Sequence, residues 1–172
     1  MERTIDASEM DATFAGRVAA EPGGERIWRC FACGTCTASC PVTEVTERYN
    51  PRRIIHMVLL GLATEVLTSD FVWLCSTCYA CHERCPQDVR ITELMHAIKN
   101  VAVREGHVHP SYRAQVGLIR EHGRLYDITG FENERRAELG LPALPEQPED
   151  YRQILASTGI EVLVQPAEGG AD

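Results

Sequence analysis

The chain has no apolar stretch that could hold it in a membrane. Its longest unbroken apolar run is short, around Met57 to Leu60, whereas roughly 20 apolar residues are needed to span a bilayer. It also lacks surplus basic charge. The 17 Lys and Arg face 25 Asp and Glu, for a formal charge of −8 at pH 7. Binding to nucleic acid needs clustered cations, so no nucleic-acid partner is expected. Aromatics make up only 6% of the residues, which argues against a large aromatic core. The first residues, Met1-Glu2-Arg3-Thr4-Ile5-Asp6, carry acids where a secretory signal would need apolar side chains. There is no G-x-G-x-x-G dinucleotide fingerprint and no nucleophile–base constellation. The reading is of a cytoplasmic chain, in a compartment where thiols stay reduced and cysteines rarely form disulfides.

What the chain does have is eight cysteines in two tight runs, with none left over. The first is Cys30, Cys33, Cys36 and Cys40, followed by Pro41; the second is Cys75, Cys78, Cys81 and Cys85, followed by Pro86. Each run reads C-x2-C-x2-C-x3-C-P, the spacing of bacterial [4Fe–4S] binding. Three cysteines at steps of three wrap three corners of a cube, and the fourth points away to serve the other cluster. One cluster is therefore expected on Cys30, Cys33, Cys36 and Cys85, the other on Cys75, Cys78, Cys81 and Cys40. Such crossed ligation would make cluster binding part of the folding energy. Gly34 permits the positive φ that lets the backbone approach the cube. The small residues Thr35, Thr37, Ser39, Ser76 and Thr77 leave backbone amides free to hydrogen-bond sulfur. Zinc is the competing metal, but zinc sites pair C-x2-C units across a long gap and need no trailing proline.

The two runs repeat at an offset of 45 residues, and the only tryptophans, Trp28 and Trp73, precede them at matching positions. The tryptophans read either as shields against water or as ordinary packing beside the site. Between the runs, Asn50 is a good N-cap and Pro51 a good first helical residue. Ile54, Ile55, Val58, Leu59 and Leu62 follow at helical spacing, with Gly61 as a stop. A short helix is expected from Ser69 or Asp70 into Trp73. After Pro86, the stripe Ile91, Leu94, Met95, Ile98, Val101 and Ala102 predicts another helix, capped by Thr92 and ended by Gly106. The expected fold is all-α, a two-cluster helical ferredoxin-like domain over 25–109 flanked by arms. The first arm, 1–24, carries a helix near Ser8 to Ala20. The second, 110–172, has a helix over 110–123 with Tyr112, Val116 and Ile119 on one face. Leu141 to Pro145 then reads as extended, followed by a short helix from Pro148 to Ser157 and a disordered tail from Gln165 to Asp172. This apolar, proline-rich arm is expected to lie on a partner. The six histidines, His56, His82, His96, His107, His109 and His122, are scattered, and none is assigned a catalytic role. His82, inside the second cysteine run, reads as a solvent-facing loop residue more readily than as a cluster-tuning one.

The words between the cysteines are more specific than their spacing. Cys33-Gly34-Thr35-Cys36-Thr37 with Ser39-Cys40-Pro41 resembles the first cluster motif of the C subunit of heterodisulfide reductase. Trp73-Leu74-Cys75-Ser76-Thr77-Cys78-Tyr79-Ala80-Cys81, Glu83-Arg84-Cys85-Pro86 and Asp88-Val89-Arg90-Ile91-Thr92 continue the likeness. Arg52-Arg53-Ile54, Leu59-Leu60-Gly61-Leu62 and Leu139-Gly140-Leu141-Pro142 fit it too, so that it covers about residues 26–145. The resemblance implies a component with two [4Fe–4S] clusters, one of the hetero-oligomer's electron carriers. It would pass electrons from the flavin-bearing A subunit to the disulfide-handling B subunit. It has no active site and binds no small-molecule substrate itself. The C-C-G run that the B subunit uses is absent, and every cysteine is committed to a cluster.

Two other readings compete. An iron–sulfur component of a related dehydrogenase, or of a sulfur-oxidising heterodisulfide reductase-like complex, would use the same cysteines. A cluster-based transcription sensor would need a helix-turn-helix and a basic face, which this acidic chain lacks.

Overall fold

The computed structural model of the protein describes residues 7–145 and 150–160. The regular elements among them are helices: α1 (Phe14–Ala19), α2 (Thr35–Ala38), α3 (Pro41–Val45), α4 (Pro51–Leu59), α5 (Ala63–Leu67), α6 (Ala80–Glu83), α7 (Ile91–Arg104), α8 (Pro110–His122), α9 (Gly130–Glu138) and α10 (Asp150–Thr158). The all-α class expected from the sequence is the one observed. Two 3-10 turns, Ile27–Arg29 and Phe71–Leu74, lead into the cysteine runs. No helix among the described residues is long and apolar enough to cross a membrane. The chain divides into two compact units, one ending at His107 and the other starting at Val108.

The first unit is built around α7. Its periodic residues Ile91, Leu94, Met95, Ile98, Val101 and Ala102 are buried, and each large apolar side chain so buried contributes about 1.5–3 kcal/mol. α1, α5, α6 and the turn Phe71–Leu74 pack on it, and α4 packs on α1, α2 and α5. α4 starts as its sequence dictates: the Asn50 side chain accepts a hydrogen bond from the Arg53 amide, and Pro51 opens the helix. It stops at Gly61, whose φ of 80° turns the chain out of the helix. The Gly61 and Leu62 amides then bond back to the Val58 and Met57 carbonyls. A side chain at Gly61 would also run into the Asp11 backbone, since an added Cβ would lie 2.5 Å from the Asp11 carbonyl oxygen.

Two local expectations are revised. The N-terminal helix is shorter than Ser8 to Ala20, because the Asp11 carboxylate accepts from the Thr13 amide at 2.8 Å and hydroxyl at 2.6 Å. That local bond competes with helix, which begins only at Phe14. Phe14 and Val18 are fully buried in the core of the first unit. Thr92 is not a cap. Arg90, at φ 57°, precedes α7, and Thr92 lies buried within its first turn. α5 has no counterpart in the sequence reading, being a single short turn between Leu62 and Thr68.

In the second unit α8 has the expected limits, with Pro110 first and Gly123, at φ 69°, ending it. α9 is a further helix beyond those expected; it is announced by the capping box of Thr129 and Glu132. The segment Leu141 to Pro145 is not helical and lies along α9. Asn133 accepts from the Leu144 amide at 2.9 Å and donates to its carbonyl at 3.0 Å, while Arg136 donates to the Pro142 carbonyl at 2.9 Å. α10 packs on α8, where the Tyr151 hydroxyl donates to the Arg120 and Glu121 carbonyls. Neither α8 nor α9 carries a buried residue. Pro148, expected to open the last helix, and the tail from Gln165 to Asp172 lie outside the described residues.

Candidate metal centre

The cysteine runs are folded alike. In each, a 3-10 turn is followed by a loop carrying two cysteines and then a four-residue helix that carries the third, α2 in one and α6 in the other. Ala32 and Gly34 have φ of 59° and 87°; Thr77 and Tyr79, 45 residues on, have φ of 57° and 62°. Alternating left-handed residues curl the backbone so that the thiols turn to one side of each loop. Only one of the four is glycine, and each L residue held there costs about 1–2 kcal/mol.

Cys30, Cys33 and Cys36 line a cavity together with Cys85 from the second run. Its other walls include Ile55, Pro86, Val89 and Ile91, with Arg52 at the rim. The Cys85 sulfur accepts a hydrogen bond from the Val89 amide at 3.4 Å. Cys40, Cys75 and Cys78 face Cys81 closely enough for their charges to act on its thiol. Cys36, in turn, feels the charges of Cys30 and Cys81, so the two groups adjoin.

Burial pushes the Cys36 thiol up to about 11, against the opposing bond from Thr37. Burial likewise raises Cys81, opposed by the Thr92 hydroxyl, whose oxygen lies 3.8 Å from the sulfur. Cys33 is exposed, and the Thr35 hydroxyl and amide hold its thiol below the usual range. Buried thiols of this kind carry negative charge only beside a cation, which is what iron would supply. All eight cysteines are free. Among the described residues no three His, Cys, Asp or Glu side chains converge as they would on a single metal ion. A tetrahedral zinc site would draw its sulfurs to about 3.8 Å from one another, given Zn–S bonds of about 2.3 Å. Thiols spread around an apolar-walled cavity, on loops curled to face it, fit a polynuclear cluster.

The side chains around the two loops differ. Trp73 packs against the core, with the Lys99 ammonium 5.8 Å from its ring centroid. Trp28 is 61% exposed. His82 is half-buried rather than solvent-facing; its ring lies 5.6 Å from that of Tyr79, and its Nδ1 has no hydrogen-bond partner among the described residues. Tyr49, which sequence reading passes over, is buried with Cys75, Cys40 and Cys81 near its side chain. Thr92 proves to be a neighbour of Cys81 rather than a cap. Neither contact leaves a mark in the sequence, because the partners lie 26 and 11 residues away with no shared motif.

The helical frame and the paired cysteine loops define a [4Fe–4S] protein, and residues 26–89 match the family model described as a 4Fe-4S dicluster domain. The chain is 33% identical over 170 residues to the C subunit of the H(2):CoB-CoM heterodisulfide,ferredoxin reductase of Methanothermobacter thermautotrophicus, covering 95% of this chain and 91% of that one. It is 39% identical over 132 residues to the C subunit of the ferredoxin:CoB-CoM heterodisulfide reductase of Methanosarcina mazei, covering 77% and 81%. It is 42% identical over 117 residues to the second iron-sulfur C subunit of the CoB–CoM heterodisulfide reductase of Methanocaldococcus jannaschii, covering 68% and 62%. The chain belongs to the heterodisulfide reductase C-subunit family.

Proposed function

We propose that this chain is the electron-transfer component of a cytoplasmic heterodisulfide reductase-type complex. It relays electrons through two [4Fe–4S] clusters from a flavin-containing A subunit to a disulfide-handling B subunit, and has no catalytic site of its own. Cys30, Cys33, Cys36 and Cys85 would hold the first cluster, and Cys75, Cys78, Cys81 and Cys40 the second. The observation that carries this reading is the cavity lined by three thiols of one run and the last thiol of the other. The adjacency of the two thiol groups, through Cys36 and Cys81, supports transfer between them.

Each cluster, when bound, supplies reversible one-electron storage. The chain's own residues do the rest. The curled loops fix the sulfurs, and Ile55, Val89 and Ile91 keep water from the first group. The Val89 amide donates to the Cys85 sulfur, and the Thr35 and Thr92 hydroxyls beside Cys33 and Cys81 would take up part of the sulfur charge once the thiols bind a cluster. Residues 25–109 would be the cluster-bearing domain, preceded by the arm 1–24. Residues 110–172 would be the partner-binding arm, a reading supported by the exposed Leu125, Tyr126, Phe131, Leu139 and Ile154. A place in a related dehydrogenase or in a sulfur-oxidising complex would use the same centre and differ in the partner.

The test is iron and acid-labile sulfide content of anaerobically purified protein, with electron paramagnetic resonance after dithionite reduction. About eight irons and eight sulfides, with spectra of two interacting clusters, are expected. Zinc in place of iron, or a single cluster, overturns the relay.

A further inference from the structure

We infer that the face of the first cysteine loop is a docking port, where a redox subunit with an apolar centre and an acidic rim seats against Trp28 and Phe31. The inference rests on the two-cluster reading above and adds where an electron crosses the surface of the chain. Phe31 stands between Cys30 and Cys33 and lines the cavity of the first thiol group. It is nevertheless 60% exposed, and Trp28, on the turn that leads into the loop, is exposed to the same degree. Cys33, the next cysteine, is exposed as well. The second loop, on the same backbone, packs its Trp73 against the core and carries Ser76 at the place of Phe31. The first loop thus keeps two large apolar side chains in water beside a thiol at the surface. Burying them against another protein recovers about 1.5–3 kcal/mol each. It also excludes water where the sulfur is reached.

The charge around this face decides what kind of surface fits it. Asp88 lies in the strip 86–91, which walls the cavity. Three guanidiniums share its carboxylate: Arg26 bonds it directly, Arg90 stands at 3.7 Å and Arg29 at 3.8 Å. Arg90 also meets Glu93 at 3.5 Å, and Glu25 feels the charges of Arg26 and Arg90. Arg52, from α4, lines the cavity too. Four cations here meet three acids, on a chain whose 17 cations face 25 acids overall. The face is therefore cationic where the chain as a whole is acidic. Trp and Arg are the side chains that most often carry binding energy between proteins, and Arg29 adjoins Trp28 with its side chain 55% exposed. A cationic surround steers an acidic partner into place. A second copy of this chain fits poorly, because a two-fold pairing of this face sets cation against cation.

The experiment is a photo-cross-link in the assembled, cluster-loaded complex, with p-benzoylphenylalanine at position 31. The expected product joins this chain to an Asp- and Glu-rich segment of another redox subunit, and the subunit so identified is then the probe. Its affinity for the full-length, cluster-loaded chain should fall at least about tenfold for Trp28→Ser and for Phe31→Ser, which copies the second loop. Arg29→Glu should weaken binding too, and added salt should weaken the wild type more than Arg29→Glu. Each variant should keep about eight irons, so that a lost contact is not a lost cluster. Should Phe31→Ser lose iron, Trp28→Ser and Arg29→Glu decide the matter. No cross-link, a cross-link to a second copy or to a segment without acids, or unchanged affinity overturns the inference while leaving the relay intact. About four irons in the wild-type protein would instead overturn the two-cluster reading itself.

Discussion

The two cysteine loops share a backbone and differ in nearly everything attached to it. Their left-handed residues fall at matching positions, 32 with 77 and 34 with 79, and their short helices α2 and α6 coincide in register. Yet Gly34 stands opposite Tyr79, the exposed Phe31 opposite Ser76, and the exposed Trp28 opposite the packed Trp73. Thr37 donates to the Asn50 side chain at 2.8 Å and so ties the first loop to the start of α4. Its counterpart, His82, has a ring nitrogen with no such bond among the described residues. The geometry that places sulfur is thus held constant, while the surroundings that tune it diverge. Two copies of one loop can in this way serve as two different electron stations.

The largest expected effect comes from breaking the exchange of the fourth cysteine. Cys85→Ser should remove the cluster on Cys30, Cys33 and Cys36, and Cys40→Ser the other, each lowering iron from about eight to about four per chain. Crossed ligation fails if Cys85→Ser spares the first cluster and removes that of Cys75, Cys78 and Cys81.

A smaller effect separates the loops by backbone. Gly34→Ala has room for its methyl, the nearest atom being the Arg52 Cδ at 3.8 Å, but at φ 87° it is strained. It should cost about 1–2 kcal/mol. Tyr79→Gly relieves a similar strain but adds about 0.5–1 kcal/mol of chain entropy, so its net change should be near zero. Thermal unfolding of the anaerobic protein measures both, and equal losses would sink the contrast. Smaller again is the tether. Asn50→Ala should lower stability by about 1 kcal/mol through the lost cap, whereas His82→Thr should stay within about 0.5 kcal/mol. A melting temperature more sensitive to His82 than to Asn50 would contradict this.

α4, α7 and α8 are legible in the sequence because their apolar period and their glycine stops agree, with a proline opening α4 and α8. The cysteine runs are legible as a motif, and Gly34 as its bend. Less visible is that Ala32, Thr77 and Tyr79 adopt the same left-handed backbone, since nothing in those residue types favours it. α9 escapes notice although Thr129 and Glu132 spell a capping box, because its residues are mostly polar and give no apolar stripe to follow. Tyr49 escapes for another reason. Its burial beside the thiols of the second run is set by tertiary structure alone.

The presence of Cys85 in the wall of the first cavity sets an order of events during synthesis. When Cys36 leaves the ribosome, the first loop has three of its four sulfurs, and the fourth lies 49 residues downstream. The complete four-thiol cavity exists only after α4 and α5 have been made and folded and the second loop has emerged. Iron delivered earlier would meet an open three-thiol rim. Under the proposed ligation, loading of the first cluster would be a late step, made on a nearly finished first unit rather than on a nascent strand.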